Sequence, residues 1–336
     1  MSFKRIVLNE RPKGHIEKNT FRSEQCHLKD YEPKQGRVLV QVTWLSLDPA
    51  MRGYLNNVRS YMPPVQIGET MRAVGLGVVI KKAEGSQFSV GDIVCGEFGW
   101  TEYAIMEDNK LKKITVPPGA EPLDFLNSLG LPAYIGLKEV CDIKKGETLV
   151  VSGAAGAVGS LVCQLAKREG AKVIAIAGTD EKCDWLKNEV GVDVTLNYKS
   201  PTFAQDFKKL GYVDAFFDNV GGEMLDLVLT RLNKGARIAL CGAISAYNER
   251  PKGLKNYLTL ISQRAKMQGF IVFDYDSMFA EAIAEISKGL GDGSLKRKFH
   301  IVEGLESAPA ALPMLFSGQN NGKLVVKVSS GPQSKL

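Results

Sequence analysis

The chain has 336 residues, 44% hydrophobic and 24% charged. That is enough apolar material for two packed domains and far too much for a disordered chain. Lys plus Arg number 43 against 37 acids, a net charge of +6 in clusters no denser than Lys296-Arg297-Lys298, which reads as solvated surface and argues against a nucleic-acid stripe or partner.

From the N-terminus, the polar Met1–Pro12 segment predicts no secretory leader. No apolar run along the chain reaches the roughly 18 residues that span a membrane. Six cysteines are dispersed without a C-x-x-C pair, so reduced thiols in an intracellular compartment are expected. Short strand patterns then follow, broken by Gly and Pro: Arg37–Val42, Gly75–Lys81, a strand after the Phe88–Asp92 turn, and Trp100–Met106. Their spacing predicts a compact barrel-like β domain.

Near Glu121 the character changes to alternating helix and strand patterns, the signature of a parallel α/β sheet. Thr148–Ser152 predicts a strand. Val158, Leu161, Val162, Leu165 and Ala166 then recur at helical spacing as one apolar stripe, and Gly170 ends that helix. Lys172–Ala177, Asp214–Asp218 and Ala236–Leu240 add further strands, and Lys323–Val328 a last one that should return to the β domain. The expected fold class is α/β. A β domain over 1–124, completed by 302–330, would accompany a doubly wound parallel sheet over 125–301, with a tail over 331–336. That tail ends Ser334-Lys335-Leu336, a receptor-read peroxisomal address. The peroxisome is therefore the expected location, with the cytoplasm as a second, and the peroxisomal import receptor an expected partner.

The strongest chemical signal is Gly153-Ala154-Ala155-Gly156-Ala157-Val158-Gly159, which follows a strand and opens a helix. This is the setting of a dinucleotide-binding turn. Gly156 lets backbone approach a pyrophosphate, Gly159 lets the helix pack on the strand, and the helix N-terminus offers free N–H groups to phosphate. The spacing is G-x-x-G-x-x-G rather than G-x-G-x-x-G. An NAD-binding turn usually has an acid about 20 residues further on, bonding the ribose hydroxyl. Here Gly178 stands in that place, followed by Thr179, which can bond a 2′-phosphate, and Lys182, which can neutralise it. NADPH is therefore the expected cofactor. Asp180 and Glu181 would have to point outward.

His15, His27 and His300 are the only histidines, and none lies in a cluster with cysteine. No metal site is expected, since a catalytic zinc needs about three protein ligands. The acceptor of a hydride would then need another partner for its developing negative charge.

With these features, the chain resembles the zinc-independent branch of the medium-chain dehydrogenase/reductase superfamily, the prostaglandin, alkenal and curcumin-type reductases. The matching stretches span nearly the whole chain: Leu45–Pro49 with Met51-Arg52-Gly53, Ser60–Pro64 with Ile67-Gly68-Glu69, the glycine turn, Leu196–Lys199, Phe217–Gly222, Cys241–Ser245 with Tyr247-Asn248, Gln268–Val272, and Asn320 with Gly322-Lys323. The resemblance implies a GroES-like β barrel beside a Rossmann domain. It implies hydride transfer from NADPH to the β carbon of an α,β-unsaturated aldehyde or ketone, and a homodimer. It places Lys182 and Tyr198 at the adenosine phosphate, and Asn219 and Asn320 (with Gly322) along the cofactor's middle and ribose. Cys241, Gly242, Ala243, Ile244 and Phe270, Ile271, Val272 would line the nicotinamide.

Tyr61 and Tyr247 are the catalytic candidates. A phenol stays protonated near neutral pH, its reference pKa being about 10, and can donate to an oxygen that becomes enolate-like or to the cofactor ribose. Met51, Tyr54 and Tyr61 are the substrate-side candidates. Many family members carry a tyrosine where this chain has Ala50, which widens the site or removes one hydrogen bond; Tyr54, four residues on, can compensate if the stretch is helical. The proton donor to the α carbon is a tyrosine or water. Quinone reduction is the nearest alternative chemistry, and a non-catalytic NADPH-binding protein is the alternative from another class. A fluorescent protein fused ahead of an intact Ser334-Lys335-Leu336 terminus should collect in peroxisomes; diffuse signal in import-competent cells would refute the address.

Overall fold

The computed structural model describes residues 1–115, 122–123, 125–126 and 130–331. The expected change of character at Glu121 and the Ser334-Lys335-Leu336 terminus lie outside them. The chain divides into two units, Met1–Leu126 with Phe299–Leu336, and Asn127–Lys298.

In the first unit, β1 (Ser2–Leu8) and β2 (Phe21–His27) form a two-stranded antiparallel ribbon. β3 (Arg37–Ser46), β4 (Val74–Lys82), β5 (Ile93–Glu97), β6 (Tyr103–Glu107) and β7 (Lys112–Lys113) build an antiparallel sheet around β3. β6 starts three residues later than the sequence suggests. Trp100 and Thr101 instead turn their backbone toward β1: the Ile6 N–H donates to the Trp100 carbonyl at 2.8 Å, and Arg5 bridges Thr101. Gly75 and Gly77 mark a close backbone approach. A Cβ on Gly75 would stand 2.2 Å from the Trp44 carbonyl oxygen, and one on Gly77 2.4 Å from the Val40 side chain, where the β3–β4 register shifts.

The second unit holds β8 (Thr148–Val151), β9 (Lys172–Ala177), β10 (Val194–Asn197), β11 (Val213–Asp218), β12 (Leu232–Leu240) and β13 (Lys266–Gly269), all parallel, in the order β10-β9-β8-β11-β12-β13. Their side chains alternate between two apolar layers. Val151, Ala175 and Phe217 meet one set of helices, and Val150, Ile174 and Phe216 another. Burial on both faces is why these strands read as continuous apolar runs. The helix Ala157–Arg168 departs from expectation: Ser160, Cys163 and Gln164 are buried as well as the apolar stripe. Gln164 satisfies its amide by donating to the Ser160 and Lys296 carbonyls at 3.1 and 3.0 Å and accepting from the Lys296 N–H at 2.6 Å.

The chain then re-enters the first unit through β14 (Phe299–Glu303) and β15 (Lys323–Lys327). β15 lies antiparallel to β3, pairing Val325 with Ser46, so the last strand does complete the β unit.

Candidate functional site

In the second unit the strand order reverses between β8 and β11, since the chain leaves β8 toward β9 on one side and β11 toward β12 on the other. Open α/β sheets bind ligands at the carboxyl ends of the strands at such a point. Gly153 there has φ +58°, a left-handed conformation suited to glycine, and a Cβ on it would lie 3.4 Å from the Asn219 Cβ. A Cβ on Gly159 would stand 2.4 Å from the Gly153 carbonyl oxygen, so any side chain there forces the helix off the turn. Gly156 is the extended N-cap of that helix, with no side-chain cap. The turn Gly153–Gly159, including Ala155, Ala157 and Val158, thus offers phosphate a bare helix N-terminus.

Beyond β9, the Tyr198 ring lies across Gly178. A Cβ on Gly178 would be 2.9 Å from that ring, which occupies the space an acid's side chain would enter. Thr179 caps the helix Asp180–Trp185, its hydroxyl oxygen accepting from the Lys182 N–H at 3.2 Å. Its first task is therefore to set this turn. Asp180 accepts from the Asn197 amide at 2.8 Å, and Glu181 lies 3.8 Å from the Lys298 ammonium, so both acids are engaged by neighbours. Burial pushes the Lys182 ammonium below the usual lysine range, and the Lys199 and Lys298 charges push it further against the opposing Glu181 carboxylate. A bound dianion would relieve that repulsion. Lys199 and Lys298 were not singled out by sequence. Lys199 follows Tyr198 directly, a legible signal, whereas Lys298 belongs to the cluster read as plain solvated surface and instead stands 5.8 Å from the Trp185 ring.

Between β11 and β12 the loops interlock. Asp218 is fully buried. Its carboxylate accepts from the Ser152 hydroxyl at 2.6 Å and from the Val220 and Gly221 N–H groups at 3.0 Å. Burial raises this carboxyl above the usual range, while the donors oppose the rise. Asn219 is fixed by two bonds to Ser152: its N–H donates to the hydroxyl at 2.9 Å and its amide to the carbonyl at 2.8 Å. Burial pushes the Cys241 thiol up to about 12, which keeps it protonated. The Tyr247 hydroxyl oxygen accepts from the Ala243 N–H at 3.3 Å, and a Cβ on Gly242 would lie 3.2 Å from that oxygen. Tyr247 thus folds back over the Cys241–Ile244 loop. Phe270 packs edge-to-face on Phe217 at 6.2 Å, and a Cβ on Gly136 would meet its ring at 2.4 Å. Its ring is committed to the core, where it anchors the following Ile271 and Val272.

In the first unit, Ala50 precedes the short helix Met51–Tyr54, so the stretch carrying Tyr54 is helical. Met51, expected to touch substrate, has its side chain in the core at 3% exposure. Tyr54 raises its pKa through burial, with Tyr61 beside it, and the Arg72 guanidinium lies 5.4 Å over its ring. Arg72 pairs with Glu97 at 3.3 Å. Tyr61 is half-exposed. Asp48 takes the Ser46 hydroxyl and the nearly buried Lys323 ammonium, joining the segment before Ala50 to the start of β15. Just ahead of β15, the Asn320 amide donates to the Gly322 carbonyl at 2.9 Å, and Gly322 has φ +82°. Among the described residues, no group of three His, Cys, Asp or Glu could hold a metal ion.

Two family descriptions match this chain: "N-terminal domain of oxidoreductase" over residues 4–114, and "Zinc-binding dehydrogenase" over residues 157–288. YfmJ of Bacillus subtilis (strain 168), provisionally named an NADP-dependent oxidoreductase, is 41% identical over 98% of each chain. The 2-alkenal reductase (NADP(+)-dependent) of Nicotiana tabacum is 36% identical over 98% of each. The crystal structure of CurA in complex with NADPH from Vibrio vulnificus superposes with a TM-score of 0.91 at 38% identity, covering 97% of this chain and 99% of that one. The chain belongs to the zinc-independent medium-chain dehydrogenase/reductase family. Its fold, a sheet-rich N-terminal unit with a Rossmann-like parallel-sheet unit, is that of the family.

Lys182→Glu should raise the NADPH Michaelis constant by about ten- to a hundredfold, the weight of one charged hydrogen bond, and leave that for NADH nearly unchanged. Gly178→Asp should displace the Tyr198 ring and narrow the preference for NADPH over NADH. Steady-state kinetics with both cofactors checks this; an unaltered NADPH constant in Lys182→Glu removes Lys182 from the phosphate site.

Proposed function

We propose that this NADP-dependent oxidoreductase reduces the α,β double bond of enals and enones. The observation that carries the cofactor half is the acid-free end of β9: Gly178 under the Tyr198 ring, beside a lysine whose charge burial and two further lysines disfavour. NADPH would be held by the Gly153–Gly159 turn, by Lys182, Tyr198 and Lys199 at its phosphate end, and by Asn219 and the Cys241–Ile244 loop. When bound it supplies the hydride.

The chain's own residues must then receive the negative charge that appears on the carbonyl oxygen. Protonated phenols are suited to it, because a preorganised donor aimed at a developing oxyanion stabilises the transition state more than the ground state. Tyr61 presents a half-exposed side chain beside the half-buried Tyr54, and Tyr247 is oriented by the Ala243 N–H. Cys241, held protonated, does not compete as a nucleophile. The 2-alkenal reductase of tobacco supports the substrate class. Peroxisomal delivery and a homodimer belong to the same proposal, on the terminal tripeptide and the family resemblance.

NADPH oxidation should proceed with an enal or enone, be insensitive to chelator, and fall at least about tenfold with NADH. Turnover of a quinone alone would overturn the double-bond assignment, and tight NADPH binding without any turnover would favour a binding protein. Ala50→Tyr should lower kcat/KM for bulky enones relative to short enals, measured across a size series; an unchanged ratio would take position 50 out of the substrate site.

A further inference from the structure

Asp218 stands apart from the groups used above. It is a fully buried carboxylate at the carboxyl end of the central strand β11, and it touches three separate loops. Through the Ser152 hydroxyl, at 2.6 Å, it reaches the strand that enters the glycine turn. Through the Val220 and Gly221 N–H groups it holds the loop carrying Asn219. Its main-chain carbonyl accepts from the Cys241 and Gly242 N–H groups at 2.9 and 3.2 Å, which sets the third loop. The loops also bind one another: the Ile244 N–H donates to the Asn219 carbonyl, and the Ser245 hydroxyl to that of Val220 at 2.6 Å.

A carboxylate suits this place because it only accepts, and every group aimed at it is a donor. An amide of the same size could keep its oxygen on Ser152, Val220 and Gly221 only by turning its NH₂ group against the Gly221 N–H, which also donates to the second carboxylate oxygen at 3.0 Å. We propose that the Asp218 carboxylate, through Ser152, Val220 and Gly221, is the positioning group that aligns the glycine turn with the Asn219 loop, and that it governs affinity for NADPH without touching the cofactor. This rests on the NADPH reading above.

The strand contains its own control. Asp214, near the opposite end of β11, accepts from the Thr148 N–H at 2.9 Å and the Asn233 amide at 2.7 Å. It is a structural carboxylate on the same element, far from the loops. NADPH dissociation constants would be measured by titration with the full-length wild type, Ser152→Ala, Asp218→Asn and Asp214→Asn, at a temperature where each is folded by circular dichroism. Asp218→Asn should weaken binding by at least about tenfold and Ser152→Ala by about three- to tenfold, with KM for NADPH rising more than kcat falls, while Asp214→Asn binds as wild type does. Equal affinity for wild type, Ser152→Ala and any folded Asp218→Asn would overturn the inference, as would an equal loss in Asp214→Asn, which would show a merely structural role. If Asp218→Asn does not fold, Ser152→Ala against Asp214→Asn decides. Wild type that binds no NADPH would overturn the cofactor reading itself, a result distinct from any difference among variants.

Discussion

The cofactor end of this protein depends on how closely one helix stands to the turn before it. The Ala157–Arg168 helix is pressed so near that a single methyl on Gly159 would overlap the Gly153 carbonyl. That contact sets the direction of the helix axis, hence of the N–H groups and partial positive charge at its N-terminus. Burial of the helix on nearly every side, with Gln164 stitched to Lys296, holds the arrangement against thermal rocking.

Two features of different kind meet at the end of β9, where the proposed NADPH site would take the phosphorylated ribose. The Tyr198 ring excludes an acid at position 178 by occupying its volume. The lysines at 182, 199 and 298 concentrate positive charge that Glu181 offsets only in part, and a bound anion would relieve the remainder. Neither effect alone would suffice. An empty neutral site would accept either cofactor, and a basic site with an acid at its centre would neutralise itself.

Reactivity in the second unit is limited by burial as much as it is created by geometry. The Cys241 thiol is kept protonated in its loop, and Tyr247 is turned back over that loop by the Ala243 N–H. In the first unit, Arg72 and Glu97 bracket Tyr54, while Asp48 and Lys323 join two distant segments of chain. In each pair the cation is largely buried and the acid half-exposed, so removal of the acid would strand a buried positive charge.

Much of the fold was legible from sequence. β9 was read to the residue, because a parallel strand buried on both faces must be apolar throughout and Gly170 punctuates its start. The glycine turn was legible because φ +58° at position 153 favours glycine and the contact at position 159 leaves no room for a side chain. Gly178 and Lys182 stood out as local choices of residue type, whereas Tyr198 was singled out only through the family resemblance. Tertiary structure alone decided the rest. It set the late start of β6, the core-facing sides of Met51 and Phe270, the approach of Lys298 to Lys182, and the convergence of three loops on Asp218. Each of these depends on which distant segments are neighbours. A sequence pattern reports one residue's own preferences, whereas the partner that desolvates a side chain, or accepts its hydrogen bond, is chosen only when the chain has folded.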